Sequence, residues 1–333
     1  MKFTRYLMIL LTLSLAGSIV AAFVASDNVA ITNDVTTIRV GHEQAETNDR
    51  HLAMMEFKEL VEEKSQGEME VLVYPNAQLG SEPEMIESVT LNDLQMVAAT
   101  AFTQYDQRIS VFELPYLFDS YEEAWNVLDG EVGQDMADLF LEDDLRILAY
   151  FENGFRHVTS NRPIESPEDL SGLVIRTPEF PISLSTFNAM GANPTPMAFG
   201  ELYTALQQGT VDAQENPIAN AYTSNFQEVQ EYLNLTSHQY MPLPVAINED
   251  FWQSLSTEEQ EILNNSAEEA AQFHRETQRE NEEKMLAELE EDGMEIVEPD
   301  TSLFEDEIDP VYNSFRQAYG DELVDRIIEA ANE

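Results

Sequence analysis

The stretch from Gly172 to Asn216 admits few architectures, because it reads strand, helix, extended turn, helix, strand with punctuation at every junction. Leu173, Val174 and Ile175 form a short apolar run bounded by Gly172 and Pro178, the pattern of a buried strand. A helix follows and stops at Gly191. The prolines of Asn193-Pro194-Thr195-Pro196-Met197 then hold the residues before them in extended backbone. A second helix is predicted from near Gly200, with Leu202, Tyr203 and Leu206 on one face and Gly209 as a left-handed C-terminal cap. Val211 to Asn216 reads as another short strand that turns at Pro217. Alternation of this kind builds an open α/β sheet, in which ligands collect at strand ends.

Arg176 stands at the end of the first of these strands and Asn216 at the end of the last. A guanidinium beside a buried strand is costly unless an anion pairs with it, and its planar fork fits a carboxylate through two parallel hydrogen bonds. Spacing alone leaves two readings open: an ion pair with one of the 64 acidic residues, or a site for an anionic ligand.

The same strand and helix alternation begins earlier. Thr37 to Gly41 is a strand that leads into the polar loop His42 to Asp49, and a helix follows from Arg50 to Gly67. Glu70 to Tyr74 and Leu94 to Ala99 are predicted strands, the second ending at Thr100. Leu145 to Phe151 is another, delivering Asn153-Gly154-Phe155-Arg156-His157, and Val245 to Ile247 one more. Ser256-Thr257-Glu258-Glu259 has capping-box spacing, and no Pro or Gly interrupts the chain from Glu258 until Gly293, so a helix of more than about 30 residues is expected there. Residues 294–333 add a strand from Met294 to Val297 and a final helix from Phe315 to Ala331.

At the other end, Lys2 and Arg5 precede an apolar core from Leu7 to Leu15 and small residues through Ala25, the pattern of an export signal peptide over residues 1–25. The uncharged run from Leu7 to Ala25 would also serve as an uncleaved membrane anchor. The chain has no cysteine, which removes disulfides, thiol chemistry and lipid attachment through a cysteine.

The net charge of −48 excludes a nucleic-acid surface. Disorder would follow from such a charge if apolar residues were scarce, but they make up 43% of the chain. The acid is distributed rather than blocked, which reads as adaptation to high salt, where self-repulsion is screened. Catalytic patterns are weak: His42-Glu43 lacks the second histidine of a metalloprotease, and neither a nucleophile elbow nor a phosphate-binding glycine loop is present. The 5 histidines show no ligand spacing, so no metal, no cofactor and no enzymatic activity is expected.

The run from Gly191 to Pro217, with Pro-Thr-Pro-Met-Ala-Phe, Tyr-Thr-Ala-Leu-Gln-Gln-Gly and Gln-Glu-Asn-Pro, closely resembles the substrate-binding proteins of TRAP transporters, the DctP-like family. The resemblance covers nearly the whole chain after Ile38, and Phe112-Glu113-Leu114-Pro115-Tyr116-Leu117-Phe118 resembles another of the family's signatures. It implies a two-lobed periplasmic-binding-protein-like α/β fold with one long helix spanning both lobes. Lobe I is expected at 36–153 and 242–281, and lobe II at 154–241 and 282–333. It also implies an extracytoplasmic solute receptor, in the periplasm or on the outer face of the cytoplasmic membrane, that closes on a small organic acid and delivers it to TRAP membrane permease subunits.

Carried over residue by residue, Arg176 in Ile-Arg-Thr-Pro matches the family's arginine that pairs with the ligand carboxylate, and Asn216 in Gln-Glu-Asn-Pro matches its amide partner. Arg156 matches a second arginine found in the sugar-acid branches, and Phe199 in Met-Ala-Phe matches the aromatic that packs on the ligand. Thr100 stands where the sialic-acid branch has a glutamate, which argues against sialic acid. Gln214 and the loop residues His42, Glu43 and Asn48 complete the expected binding set, the loop closing over the ligand. Arg156 and Arg176 are expected on neighbouring strands with an anion between them.

The loop offers Glu43, Gln44, Glu46, Asn48 and Asp49, with His42 its only candidate cation. A second ligand carboxylate would therefore be costly to bury, unless Arg50 or Arg108 reaches the cleft. A sugar acid such as a hexuronate or aldonate is favoured over a C4-dicarboxylate or another small carboxylate. A secreted enzyme acting on an acidic sugar is the alternative of a different class.

Overall fold

The computed structural model describes residues 35–331, so the expected signal segment lies outside the described residues. Nine strands form a single mixed sheet: β1 (Thr36–Gly41), β2 (Met69–Tyr74), β3 (Met96–Ala98), β4 (Leu145–Ser160), β5 (Val174–Thr177), β6 (Asn193–Pro196), β7 (Ala213–Asn216), β8 (Tyr232–Asn248) and β9 (Glu295–Val297). Their spatial order is β2-β1-β3-β8-β4-β7-β5-β6, with β9 paired to β8. β2, β1 and β3 run parallel in one half, and β7, β5 and β6 run parallel in the other. The antiparallel strands β4 and β8 pass through both halves and join them.

This corrects the sequence reading in three places. β4 continues well past Phe151 through Asn153-Gly154-Phe155-Arg156-His157, and β8 begins at Tyr232 rather than near Val245. Pro242 and Pro244 hid β8, since proline is rare inside a central strand. They are tolerated where β3 ends: its last ladder pair is Ala98 with Val245, and beyond it Ala99 N donates to the Pro244 carbonyl at 3.2 Å, a bond that needs no N–H from the proline. Arg156 and Arg176 are also not on neighbouring strands, because β7 lies between β4 and β5.

The pairing of β4 with β8 slips in three places, and at the middle one Glu152 opposes Pro242 and Gly154 opposes Met241, leaving Asn153 out of register. Gly154 there has φ +102, and a Cβ on it would lie 2.4 Å from Gln278 Nε2. Gln278 belongs to the helix Thr257–Glu291, whose 35 residues match the expected long helix and open on the predicted capping box, Glu259 N donating to Ser256 Oγ at 3.2 Å. Leu263, Ala267, Ala270 and Ala271 of this helix join the core of the first half, with Phe57, Val61 and Leu243. Met285 and Leu289 join a second-half core with Ile218 and Leu233. Full burial of one such leucine stabilises the fold by about 2 kcal/mol, so a helix with a face in each core is held at both ends.

The final helix expected from Phe315 to Ala331 is two helices, Asp309–Tyr319 and Asp321–Ala331, broken at Gly320 with φ +88. The second packs against Tyr121–Leu128 and Glu131–Asp138 in the first half, although its sequence position put it in lobe II. No helix of the described residues is long and apolar enough to cross a membrane.

Candidate ligand-binding cleft

The C-terminal ends of β1, β3, β5, β6 and β7 point toward one place, and the residues just beyond them line a cavity of about 190 Å³. From the first half come Glu43 and Gln44 after β1, Arg50, Glu82 and Thr100. The second half contributes Arg176, Asn216, Asn220 and Phe199, and the joining strand β4 contributes Asn153 and Arg156. Strand ends of opposed half-sheets converging on a cavity give the binding crevice of open α/β folds.

Arg176 is 3% exposed and forms no salt bridge among the described residues. Its Nε and Nη2 both donate to the Met197 carbonyl, at 3.0 and 2.8 Å, and its guanidinium carbon lies 5.9 Å from the centre of the Phe199 ring. Burial pulls its pKa down to about 10, with the Glu215 charge opposing and the Arg156 charge adding to the effect. It stays protonated at neutral pH, a buried cation whose nearest strong acceptor is one peptide carbonyl.

Arg156 is different. Its Nη2 donates to Glu215 Oε1 and to the Glu215 carbonyl, both at 2.9 Å, and its Nε donates to Glu215 Oε2. Burial alone would raise Glu215, but the Arg156 charge and the bonds from His238 and Arg156 outweigh it and hold the carboxyl at about 2. The anion expected between the two arginines is thus the protein's own Glu215, on the strand that separates them.

Arg50 reaches the cleft. Its Nη1 pairs with Glu82 Oε1 at 2.7 Å and its Nη2 donates to Asn153 Oδ1 at 3.0 Å, while Glu82 Oε2 accepts from Thr100 N and Oγ1 at 2.7 and 2.8 Å. Glu43 Oε1 accepts from Glu82 N at 2.8 Å. Burial and then the Glu82 charge raise Glu43 to about 7, against the Glu82 backbone bond and the charges of Arg50 and Arg176. Arg108 does not line the cleft; it is exposed and paired with Asp106.

A sequence profile described as "Bacterial extracellular solute-binding protein, family 7" (DctP) matches residues 40–318. The chain belongs to this family. Among its relatives, the 2,3-diketo-L-gulonate-binding periplasmic protein YiaO of Escherichia coli (strain K12) is 38% identical over 264 residues, covering 78% of this chain and 80% of that protein. The sugar acid binding protein DctPAm of Advenella mimigardefordensis, solved with galactonate, is 33% identical with a TM-score of 0.85, covering 89% of this chain and 97% of that one. A TRAP periplasmic solute binding protein of Sulfurospirillum deleyianum, solved with succinate, is 30% identical with a TM-score of 0.84, covering 88% and 98%. Members of the family are periplasmic binding proteins rather than enzymes, and the two-lobed fold is theirs.

In this family 7 protein, Arg176, Arg156, Asn216, Phe199, Thr100 and Glu43 come together on the cleft wall, whereas His42, Asn48 and Gln214 do not. The backbone of His42 still continues the strand, its N–H bonding the Tyr74 carbonyl at 3.1 Å, so the side chains of His42 and Glu43 leave on opposite sides. His42 is fully buried against His51, 3.1 Å between ring nitrogens, and burial with the Arg50 charge lowers it to about 2; it is no cation. Asn48 caps the helix Asp49–Lys64 and donates to Asn220 Oδ1 and Thr223 Oγ1 at 3.0 and 3.1 Å, bridging the two halves beside the cleft. Gln214 lies one pleat behind Asn216, accepting from its Nδ2 at 2.6 Å and donating to Thr159. Of the loop acids, Glu46 is exposed and Asp49 accepts from Asn281 of the long helix at 2.8 Å.

The sequence reading missed Glu82 and left Arg50 open. The signal for Glu82 was local: Ser81 and Glu84 form a capping box, so Glu82 opens a helix directly after the turn that follows β2, at the binding end of the sheet.

Proposed function

We propose that this protein is the extracytoplasmic receptor of a TRAP transporter and binds a sugar acid with one carboxylate, such as an aldonate or hexuronate, for delivery to the membrane permease. One observation carries the reading. Arg50 and Arg156 each hold a carboxylate of the protein, and Arg176 is the cleft guanidinium without one among the described residues. A buried cation of this kind is stabilised when a ligand carboxylate completes it. Asn216 lies beside it as an amide partner and Phe199 packs on the ligand's carbon chain, while Glu43, Gln44, Thr100 and Asn153 offer hydrogen-bonding groups suited to hydroxyls. The relatives with galactonate and 2,3-diketo-L-gulonate support the same class. Residues 1–25 direct export, and lobe I (36–153 and 242–281, with the helix Asp321–Ala331 packed on it) closes on lobe II (154–241 and 282–320) about the slip at Asn153. The cleft binds its ligand without turning it over.

A C4-dicarboxylate is the second reading, favoured by the presence of Arg50 in the cleft and by the succinate-bound relative. Its far carboxylate must displace Glu82 from Arg50, which would leave Glu82 buried without its cation. A thermal-shift screen of hexuronates, aldonates, C4-dicarboxylates and 2-oxo acids, run in molar sodium chloride, tests both readings. Stabilisation by galactonate, gulonate or glucuronate is expected. Stabilisation by succinate or malate and by no sugar acid overturns the preference, and turnover of a bound sugar acid overturns the receptor reading.

A further inference from the structure

Besides Glu82, the cleft holds a second carboxylate, Glu43, whose protonation state the carboxylate-receptor reading leaves unassigned. Glu43 and Glu82 meet through the bond from Glu82 N to Glu43 Oε1, and Arg50 is the cation bonded to one of them. That cation is committed: Arg50 gives one arm to Glu82 and the other to Asn153. Glu82 is fully engaged, one oxygen on Arg50 and the other on the backbone and hydroxyl of Thr100. Glu43 therefore has no salt bridge among the described residues, and its Oε2 makes no hydrogen bond within them. The charged groups that face it are Glu82 at the start of the helix Glu82–Thr90, Arg50 on the helix Asp49–Lys64 and Arg176 across the cleft on β5. Two carboxylates in one largely buried site do not both stay ionised when the nearest cation already serves one of them.

We propose that Glu43 meets the ligand as a neutral carboxylic acid and donates its proton to a hydroxyl or carbonyl oxygen of the ligand, on the wall of the cleft opposite Arg176. This rests on the reading of the cleft as a carboxylate receptor and adds a specificity and a pH response to it. An ionised Glu43 would accept hydrogen bonds only and would repel an incoming anion, whereas the protonated group is a donor through the oxygen left open to the cleft. The cleft then presents a cation at one wall and a neutral donor at the other. It selects a monoanion with an oxygen acceptor on its carbon chain.

The sign of the pH response follows. The free carboxyl settles at about 7, and the ligand binds the protonated form, so apparent affinity is level in mild acid and weakens as pH rises through that value. If only the protonated fraction is competent, affinity falls about tenfold for each pH unit above it, or about thirtyfold by pH 8.5. The ligand's own carboxylate is ionised across this range and contributes no slope. Among the other buried acids, Glu113 and Glu152 are each raised by burial to about 8 but lie outside the cleft wall.

Isothermal titration calorimetry with D-galactonate, L-gulonate and D-glucuronate from pH 5.5 to 8.5, in buffers of differing ionisation enthalpy, tests this on the whole chain. Wild type is expected to weaken as stated and to take up about one proton per ligand bound at pH 8.5 but none at pH 5.5. Glu43→Gln is expected to lose both the slope and the proton uptake, and Glu152→Gln to keep both. Wild-type affinity that is flat across the range, or a slope that survives in Glu43→Gln, overturns the proposal while leaving the receptor reading in place. Absence of binding by wild type to all three acids at every pH overturns the receptor reading, and this proposal with it.

Discussion

Arg156 and Arg176 are both buried arginines at one cleft, yet replacing each by alanine should produce opposite phenotypes. Removing Arg176 takes away a cation that has no carboxylate within the protein, so no buried anion is orphaned. The local loss is the pair of bonds to the Met197 carbonyl, about 1 to 3 kcal/mol, offset in part because an unpaired buried charge also disappears. Removing Arg156 strands Glu215, fully buried with His238 as its remaining side-chain hydrogen-bond partner and the Arg176 charge acting on it without a salt bridge, and breaking such a pair costs about 3 to 5 kcal/mol. Binding should show the reverse emphasis. A desolvated charge pair with the ligand is worth about 2 to 5 kcal/mol when one partner is truncated, so Arg176→Ala should weaken a sugar acid from about 30-fold to several-thousand-fold. Arg176→Lys should recover little, since an ammonium cannot present the same planar fork. Chemical denaturation and calorimetry on the two variants decide the matter: Arg176→Ala should keep most of its stability and lose its ligand, while Arg156→Ala should unfold at markedly lower denaturant. Near-wild-type affinity in Arg176→Ala, or Arg156→Ala as stable as Arg176→Ala, would refute the division of labour.

The net charge of −48 predicts a melting temperature that climbs with sodium chloride up to molar concentrations, and a flat profile in differential scanning fluorimetry would count against a fold that needs screening. Ligand should reduce the radius of gyration seen by small-angle scattering, because the cleft is lined from both halves; no change at saturation would point to a rigid, preformed site. Burial, opposed mainly by the Trp125 hydrogen bond, lifts Glu152 from 4.5 to about 8, so its native-state proton is retained where the unfolded chain would release it, and stability should fall as pH climbs between those values. Glu152→Gln should therefore raise the melting temperature at pH 8 by a few degrees and change it little at pH 4, and equal effects at both would show that its charge is not what matters. Asn48→Ala removes two bonds between the halves and should weaken ligand binding by about tenfold through a shift toward the open form, with unchanged affinity excluding a latch role.

What the sequence made legible was whatever depends on neighbours in the chain. The Gly and Pro punctuation from Gly172 to Pro217 placed β5, β7, the extended segment that forms β6 and the two helices between them, and the Ser256 capping box with an unbroken run to Gly293 placed the long helix. Arg176 and Asn216 at strand ends were readable for the same reason. The joining strands were half hidden because Pro242, Pro244 and Gly154 read locally as breakers, and only the early end of β3 and the packing of Gln278 against Gly154 make them acceptable in a strand. Glu82 escaped because a glutamate at a helix start is ordinary in so acidic a chain. His42, Asn48 and Gln214 were assigned by proximity to the binding loop and to Asn216; alternation along extended backbone turned His42 away, Asn48 was taken up by its helix cap and the bonds to Asn220 and Thr223, and Gln214, on the same face as Asn216 but two residues back, bonds the Asn216 amide instead of lining the cleft.

Electrostatic pairing was the least readable layer, and it carries the specificity. From sequence, an arginine in a chain with 64 acidic residues has partners everywhere, and nothing local says which arginine goes without one. Order in the sheet decides it: inserting β7 between β4 and β5 hands Glu215 to Arg156, and the turn into the helix Glu82–Thr90 hands Glu82 to Arg50. Arg176 is left with a peptide carbonyl and the face of Phe199. Each internal pair also fixes a wall of the cleft, since breaking it strands a buried carboxylate, so the two pairs act as rigid boundaries and the unpaired guanidinium as the point of attachment. On the proposed monoanion reading, a dianion is disfavoured less by a lack of cations than because those present besides Arg176 are already paired, and a double substitution tests that distinction. Glu82→Gln frees Arg50 without removing it, and should raise affinity for succinate relative to galactonate by about tenfold or more in competition calorimetry, because a released cation now faces the ligand's far end. Combining it with Arg50→Gln should cancel the gain. If Glu82→Gln leaves the succinate-to-galactonate ratio unchanged, the commitment of Arg50 to Glu82 is not what sets the charge of the ligand.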